Sequence, residues 1–490
     1  MSSLTEAISN LKPFNAIVVG DVMLDDLIFG DADRLSPDAP VPVLRVRRSE
    51  HRPGGAANVC LNLAALGGRV SLISITGDDT EADRLLAALD AESIDTAGIA
   101  RDAQRPTTVK RSLIGLAQHR HPQKMFRLDI ESTEPVTEIV RDRLLAALDE
   151  RLATADVVCI EDYNKGVCTT ELCQAVIERA RAADVPVLID PAAIDDYARY
   201  RGATCITPNR TEAEKATGQT ADSPDDNAAL ARTLLETCEL DTIVLTLDRH
   251  GALLLEAGAE PTLVPTVARA VYDVTGAGDM VLAGLAASVA NELPWRDAVG
   301  IANAAAGLEV EIFGVEPIPL TKLHHAIMKQ EGRLAGKRRT LEQLVIEAQA
   351  IRAGGGTVVF TNGCFDIIHT GHVTLLEKAA DLGTMLIVAL NTDDSVRRLG
   401  KGDGRPINTL ADRARVLGAI GAVDAVIEFD DDTPLKLIEA IKPDVLVKGG
   451  DYTREAVVGH EIVETNGGRV ALIDLVDGKS TTGTIEKLRS

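Results

Sequence analysis

Residues 273–279 read DVTGAGD, and the apolar run MVLAGLAASVA follows at 280–290. The apolar run has the composition of a buried helix, which puts Gly276, Ala277 and Gly278 at its N-terminus. The first N–H groups of a helix lack intrahelical acceptors and attract phosphate charge, and glycine lets a ligand approach the backbone closely. Asp279 would repel a phosphate as a direct ligand. Its sensible role is to take a proton from a substrate hydroxyl attacking a phosphoryl group. Alone, the motif reads equally well as a glycine-rich helix start with an acidic first turn.

Upstream, apolar runs alternate with segments of helical period. AIVVG (16–20), VSLISITG (70–77), DVVCIED (156–162), VPVLID (185–190), TCITPN (204–209) and TIVLTLD (242–248) read as strands, several nearly all apolar. Such strands belong to a sheet covered on both faces. Segments 79–92, 136–153 and 170–184 read as helices, giving the βαβ order of a mostly parallel α/β sheet. GDVMLD (20–25) carries acids past the first strand, at the sheet edge where open α/β folds bind ligands. It is not a G-x-G-x-x-G turn, so a dinucleotide oxidoreductase loses its main support. PGGAAN (53–58) reads as a tight turn, or as Gly54, Gly55 and Asn58 opening a helix toward sugar hydroxyls. PNRTE (208–212) reads as a helix N-cap with a first-turn acid, or as Asn209 and Glu212 beside magnesium.

The chain has 490 residues, 45% hydrophobic and 26% charged, which suits two or three globular domains. A net charge of −23 argues against a general nucleic-acid surface. Cysteines 60, 159, 168, 173, 205, 238 and 364 form no C-x-x-C pair, so reduced cytosolic thiols are expected. The N-terminal MSSLTEAISNLKPF lacks the pattern of a signal peptide, and no run of 18 uncharged apolar residues suggests a membrane span. A cytoplasmic location is expected, with neither nucleic acid nor membrane as partner.

Composition changes between Glu316 and Arg339, where two prolines precede a basic run. This suggests a first domain at 1–318, a linker at 319–344 and a second domain at 345–490. Thr340 and Gln343 fit a capping box, and the glycines at 354–356 end that helix. A second α/β series follows in TVVFTNG (357–363), MLIVALN (385–391), AVIEF (425–429), DVLVKGG (444–450) and RVALIDL (469–475).

In their order, GD-x3-D, GG-x2-N, N-x2-E and D-x-T-G-A-G-D resemble the ribokinase-like sugar kinases over residues 10–315. RLSPDAPVPVLRV (34–46), RPGGAANVCLNLAALGG (52–68) and DYNKG (162–166) are similar to the heptose 7-phosphate kinase branch. The resemblance implies a ribokinase-like α/β domain with a small β lid, to which VPVLRVRR (41–48) contributes. It makes Asp279 the base and Gly276, Ala277 and Gly278 the anion hole. Asn209, Arg210, Thr211 and Glu212 become the ATP site, with Glu212 at Mg2+. Asp21, Asp25, Gly54, Gly55 and Asn58 would face the sugar. Lys110, Arg111 and Lys165 are candidates for the substrate phosphate, solvated surface charge being their alternative. One departure stands out: where this branch carries a compact segment with paired glutamines, the stretch 110–129 holds HRHPQ (119–123), an altered lid hairpin.

In the second half, TNGCFDIIHTGHVTLLEKA (361–379) ends a strand in Asn362 and Gly363. It then sets His369 and His372 around Gly371 at a helix start. Two histidines three apart could bind zinc, cap the helix or sit in a core. The H-x-G-H pattern resembles nucleotidyltransferases of the cytidylyltransferase-like class, which implies a Rossmann-like α/β domain. There the histidines donate to nucleotide phosphates, and positioning with electrostatics carries the reaction. LNTDDSVRRLGKG (390–402), RPI (405–407), DRARVL (412–417), LVKGGDY (446–452) and GKSTTGTIEKL (478–488) follow in the order of that class. With the stretch 361–379, the resemblance implies Asn362, Gly363, Phe365, Gly371, Arg405, Arg413, Lys448, Gly449, Ser480, Thr481 and Thr482 as nucleotide contacts.

The closest resemblance of this half is to heptose 1-phosphate adenylyltransferase domains. Together the resemblances imply two reactions. ATP would phosphorylate O1 of D-glycero-D-manno-heptose 7-phosphate. A second ATP would adenylylate heptose 1-phosphate to ADP-heptose, a lipopolysaccharide core precursor, releasing pyrophosphate. They also imply Mg2+ with ATP, admit K+ in the kinase domain, and suggest a homodimer. The rivals are another sugar kinase fused to a CTP-dependent polyol-phosphate cytidylyltransferase, and a catalytically dead binding module.

Overall fold

The computed structural model describes residues 3–116, 122–267, 275–311, 316–334, 336–400, 404–450 and 452–474. The chain forms two compact units, Met1–Leu323 and His324–Ser490. Among the described residues no helix is long and apolar enough to cross a membrane, and all seven cysteines are free and buried.

The first unit is built on a nine-stranded sheet. Its spatial order is Thr262–Val264, Ala252–Glu256, Thr242–Thr246, Cys205–Ile206, Val187–Asp190, Val157–Glu161, Phe14–Gly20, Gly68–Thr76 and Asp95–Arg101. Pairing is parallel except where Ala252–Glu256 meets its neighbours. The strands expected from apolar runs are present, though 204–209 contributes only the two-residue Cys205–Ile206 and an isolated bridge from Asn209 to Thr246. Pro208, between the strand and the bridge, has no N–H to give to the ladder. Helices cover both faces, so Val18, Val158, Leu188 and Val244 are fully buried.

Helix Ala277–Val289 is buried along residues 279–288, which explains why its sequence is apolar all round rather than along one stripe. Burial of Leu282 and Leu285 contributes about 1.5–3 kcal/mol each relative to exposure. That packing fixes the position of the helix start, where Asp279 sits.

A second, four-stranded sheet has the order Pro42–Gly55, Val22–Leu35, Val109–Gly115 and Gln123–Ile130. It is the small lid expected around 41–48. The acids of GDVMLD therefore split: Asp21 follows the main-sheet strand that ends at Gly20, whereas Asp25 lies on a lid strand.

The second unit carries a five-stranded parallel sheet in the order Ala425–Phe429, Met385–Asn391, Val358–Gly363, Val445–Gly449 and Arg469–Ile473. In chain order the strands stand 3-2-1-4-5, so connections leave in opposite directions between Val358–Gly363 and Val445–Gly449. A ligand crevice opens at such a switch point. Within the stretch 319–344 lies the helix Leu320–Gln330. Thr340 and Gln343 form the reciprocal capping box that starts helix Leu341–Ala353.

Candidate active sites

In the first unit the carboxyl ends of three adjacent strands lie level: Gly20 pairs with Glu161, and Glu161 with Asp190. Helix Ala277–Val289 starts against this edge. Its N-cap Gly276 has φ 89°, a left-handed conformation that suits glycine, and no side chain caps the helix. The first N–H groups are thus left for an anion.

Asp279 accepts two side-chain hydrogen bonds, from Asn58 Nδ2 at 2.6 Å and Tyr163 Oη at 3.0 Å. Burial raises its pKa to about 6 against the lowering effect of those bonds. The Asp279 charge and burial hold the Tyr163 phenol well above its ordinary pKa, so it remains a donor.

A cleft of about 320 Å³ opens beside Asp279, between main sheet and lid. It brings together Asp25, Gly54, Gly55, Lys110, Gly276 and Asp279 of the residues expected at the kinase site. Gly55 needs its φ of 58°, and a Cβ there would lie 2.5 Å from the Asp21 carbonyl. Lys110 Nζ stands 4.6 Å from the centre of the Tyr163 ring. Tyr163, Arg52, Lys124 and Arg127 also line the cleft, and sequence reading had missed them. The DYNKG loop and the lid strands were the available signals.

Four expected sugar or phosphate contacts lie elsewhere. Asp21 accepts from the N–H groups of Tyr163, Lys165 and Val167 at 2.9–3.1 Å, so it shapes the loop that presents Tyr163. Asn58 is fully buried and turned to Asp279. Arg111 points to Asp26 at 2.5 Å because neighbouring strand residues face opposite sides, and Lys110 takes the cleft side. Lys165 pairs with Glu131 at 2.7 Å.

Arg210 and Thr211 open helix Arg210–Thr217, and Asn209 and Glu212 form a reciprocal capping box. Asn209 is therefore occupied as an N-cap, its side chain accepting from Glu212 N at 3.0 Å. Glu212 lies close enough to raise the pKa of Asp190, after the larger effect of burial. Carboxylate oxygens of Glu161, Asp190 and Asp279 fall within 4.8 Å of one another. Glu161 Oε2 is buried without a hydrogen-bond partner. Burial and the Asp190 charge raise the Glu161 pKa. This all-oxygen set fits a hard divalent cation such as Mg2+.

In the second unit, His369 is the N-cap of helix Thr370–Ala380, and His372 lies in its first turn. Their rings stack at 4.0 Å, and Phe365 lies 5.2 Å from His372. Burial, His369 and Arg405 lower the His372 pKa to about 4, so its imidazole is neutral at pH 7. Gly371 is buried between the histidines. Across the switch point, Lys448 Nζ donates to the Asn362 carbonyl at 3.1 Å. Gly363 and Gly449 end those two strands. Asn362 Oδ1 is buried without a partner.

Arg405 is held by Asp366 at 3.0 Å; the other Asp366 oxygen accepts from the N–H groups of Ile407 and Asn408. Sequence reading had missed Asp366. Arg413 is a correction of a different kind. Its guanidinium is buried and donates to the carbonyls of Cys364 and Asn391 at 2.7 and 2.9 Å, to that of Asn408 at 3.1 Å and to Asp393 at 2.6 Å. It braces the loop before His369 from behind and has no exposed donor face for a nucleotide. Ser480, Thr481 and Thr482 lie outside the described residues, as do 119–121 of the altered lid hairpin and Asp273.

Residues 14–321 match the pfkB family carbohydrate kinase model, and 360–477 match the cytidylyltransferase-like model. The chain is 44% identical to the bifunctional protein HldE of Geobacter metallireducens, covering 98% of this chain and 96% of that one. It is 46% identical to the HldE of Azotobacter vinelandii, with 96% and 97% covered. Among solved structures, phosphofructokinase-2 of Escherichia coli with substrates and products is similar at TM-score 0.53 and 17% identity, covering 64% of this chain and 97% of that one. Ribokinase of Arabidopsis thaliana with ribose and ATP is similar at 0.50 and 18%, covering 64% and 99%. These two share the fold of the first unit. The kinase match over the first sheet, the transferase match over the second and the near full-length relatives agree, and the chain belongs to the HldE family of bifunctional enzymes, at once a kinase and a nucleotidyltransferase.

Proposed function

We propose that the chain phosphorylates D-glycero-D-manno-heptose 7-phosphate at O1 with ATP, and joins heptose 1-phosphate to AMP from ATP, releasing pyrophosphate. The product, ADP-heptose, serves lipopolysaccharide core biosynthesis. In the kinase reaction Asp279 takes the O1 proton, while Tyr163 and Asn58 hold its carboxylate toward the cleft. The O1–Pγ bond forms as the bond to ADP breaks, and the N–H groups from Gly276 to Gly278 meet the phosphoryl charge. Asp25, Gly54 and Gly55 face the sugar, and Lys110 with Arg52 and Arg127 offers positive charge to the 7-phosphate. The observation that carries this reading is the buried Asp279, doubly hydrogen-bonded at an uncapped helix start.

Magnesium accompanies ATP and would neutralise phosphate charge. Glu161 and Asp190 would hold it, with Glu212 beside them. A K+ ion in the kinase unit is supported by the likeness to phosphofructokinase-2 of Escherichia coli solved with potassium. In the transferase reaction His369 and the neutral His372 donate to the nucleotide phosphates, and Arg405 and Lys448 add charge. Asn362, Gly363, Phe365, Gly371 and Gly449 line the nucleotide's approach at the switch point. The first domain then spans 1–318 and the second 345–490. The exposed edge strand Gln123–Ile130, with Phe126 61% accessible, supports a homodimer through the lid. Seven free thiols support a cytoplasmic site of action.

The test is an assay of the purified chain with heptose 7-phosphate and ATP, and with heptose 1-phosphate and either ATP or CTP. Bisphosphate formation and preference for ATP are expected. Exclusive use of CTP would overturn the second half of the proposal, and failure to phosphorylate O1 the first.

A further inference from the structure

We infer that Asp21 is a positioning residue of the kinase, acting on the base Asp279 through Tyr163. The inference rests on the kinase reading given above, and it replaces the sugar contact expected of Asp21 from the sequence. Asp21 is buried just past the main-sheet strand Phe14–Gly20 and is not among the residues that line the cleft beside Asp279. Its main chain is tied on both sides. Its N–H donates to the Glu161 carbonyl at 3.0 Å, and its own carbonyl accepts from Ala56 N at 3.0 Å, at the start of the helix that carries Asn58. The backbone of Asp21 is thus anchored separately from whatever its side chain holds.

The side chain gathers alternate N–H groups of one loop. Oδ2 accepts from Tyr163 at 3.0 Å and Lys165 at 2.9 Å, and Oδ1 from Val167 at 3.1 Å. The intervening N–H of Asn164 turns the other way, to Asp162 at 2.7 Å. Asp162 is itself held by Tyr200 Oη at 2.7 Å and Arg199 at 3.1 Å. Three converging donors ask for an acceptor with two oxygens and about four lone-pair sites, which a carboxylate has and a neutral amide or hydroxyl lacks.

At the head of that loop the Tyr163 phenol donates to Asp279 Oδ1 at 3.0 Å, while Asn58, from a different element, donates to Oδ2 at 2.6 Å. One donor on each oxygen fixes the plane of the carboxylate. A base works only in that placement, and a misplacement of about 1 Å can cost on the order of 10²-fold in rate. Release of the loop 163–167 would let the phenol leave Asp279 and free the carboxylate to turn about its bond to Asn58. Because Asp21 lies outside the cleft, its effect on the reaction passes through the Tyr163 hydroxyl.

The experiment is a double-mutant cycle on the full chain, with Asp21→Ala, Asp21→Asn, Tyr163→Phe and their pairs. Asp21→Ala should lower kinase kcat by about 10–10²-fold, with the KM for heptose 7-phosphate within about threefold of wild type. Asp21→Asn keeps one acceptor oxygen and should recover part of the rate; if Asp21→Ala does not fold, the cycle runs on Asp21→Asn. In Tyr163→Phe, which lacks the phenol hydroxyl, either Asp21 substitution should lower kcat by no more than about twofold. In Asn58→Ala, whose donor reaches Asp279 from another element, the loss should persist. Adenylyl transfer should be unchanged throughout. A loss undiminished in Tyr163→Phe, or a kcat near wild type, would overturn the inference. A raised sugar-phosphate KM with kcat retained would overturn it too, and would return Asp21 to the sugar. A wild-type chain inactive toward heptose 7-phosphate would overturn the kinase reading itself, and the role of Asp21 with it.

Discussion

Asn58 Nδ2 lies 2.6 Å from Asp279 Oδ2, joining two buried side chains that are 221 residues apart in the chain. The contact has two consequences. It orients the carboxylate, and it favours the charged form against the desolvation that raises the Asp279 pKa to about 6. The proposed base is therefore mostly ionised at pH 7 and loses that state as pH falls.

Kinase kcat/KM should drop on the acid side with a midpoint near pH 6, because only the deprotonated carboxylate accepts the O1 proton. Asn58→Ala should move that midpoint upward, since the lost bond had favoured the anion, and should lower kcat by up to about 10²-fold through misplacement of the base. Steady-state rates across pH for both proteins check this. An unchanged midpoint would show that Asn58 does not tune Asp279.

Adenylyl transfer should behave differently in the same protein. His372 has its pKa lowered to about 4, so the neutral imidazole persists well below pH 6. The transferase rate should show no His372-dependent break between pH 8 and about pH 5. A break near the ordinary histidine value of about 6.5, removed by His372→Gln, would contradict the environment described for this ring.

Much of this is legible in the amino-acid sequence. Runs such as AIVVG and MLIVALN admit little but buried parallel strands, and DVTGAGD and HTGH are contiguous, so their chemistry is written in adjacent residues. What stayed hidden depends on which way a side chain turns. Lys110 and Arg111 are both candidates for the substrate phosphate by sequence, although neighbours on a strand face opposite sides; strand period alone separates them. Tyr163 lies within DYNKG, but that string does not show which way the phenol turns; Asp21, by holding the loop 163–167, places it. Arg413 reads as a nucleotide contact from its place in DRARVL within the motif order; arginine is rarely buried whole, and only the fold shows three carbonyls and Asp393 accepting from it.

Arg413→Met should consequently act on stability before chemistry. It leaves the carbonyls of Cys364 and Asn391 unpaired in the interior, at a cost of about 1–3 kcal/mol each. Thermal unfolding should show a lowered Tm for the transferase unit, with kinase activity retained. A stable variant whose only defect is a raised KM for ATP would restore Arg413 as a nucleotide ligand.

The central claim is that one chain carries two independent active sites, one centred on Asp279 and one on His369 and His372. The most direct measurement assays both reactions side by side in Asp279→Asn and His372→Ala. The account predicts that Asp279→Asn abolishes phosphorylation of heptose 7-phosphate and spares ADP-heptose formation, and that His372→Ala does the reverse. Either substitution leaving its own reaction near the wild-type rate would contradict it.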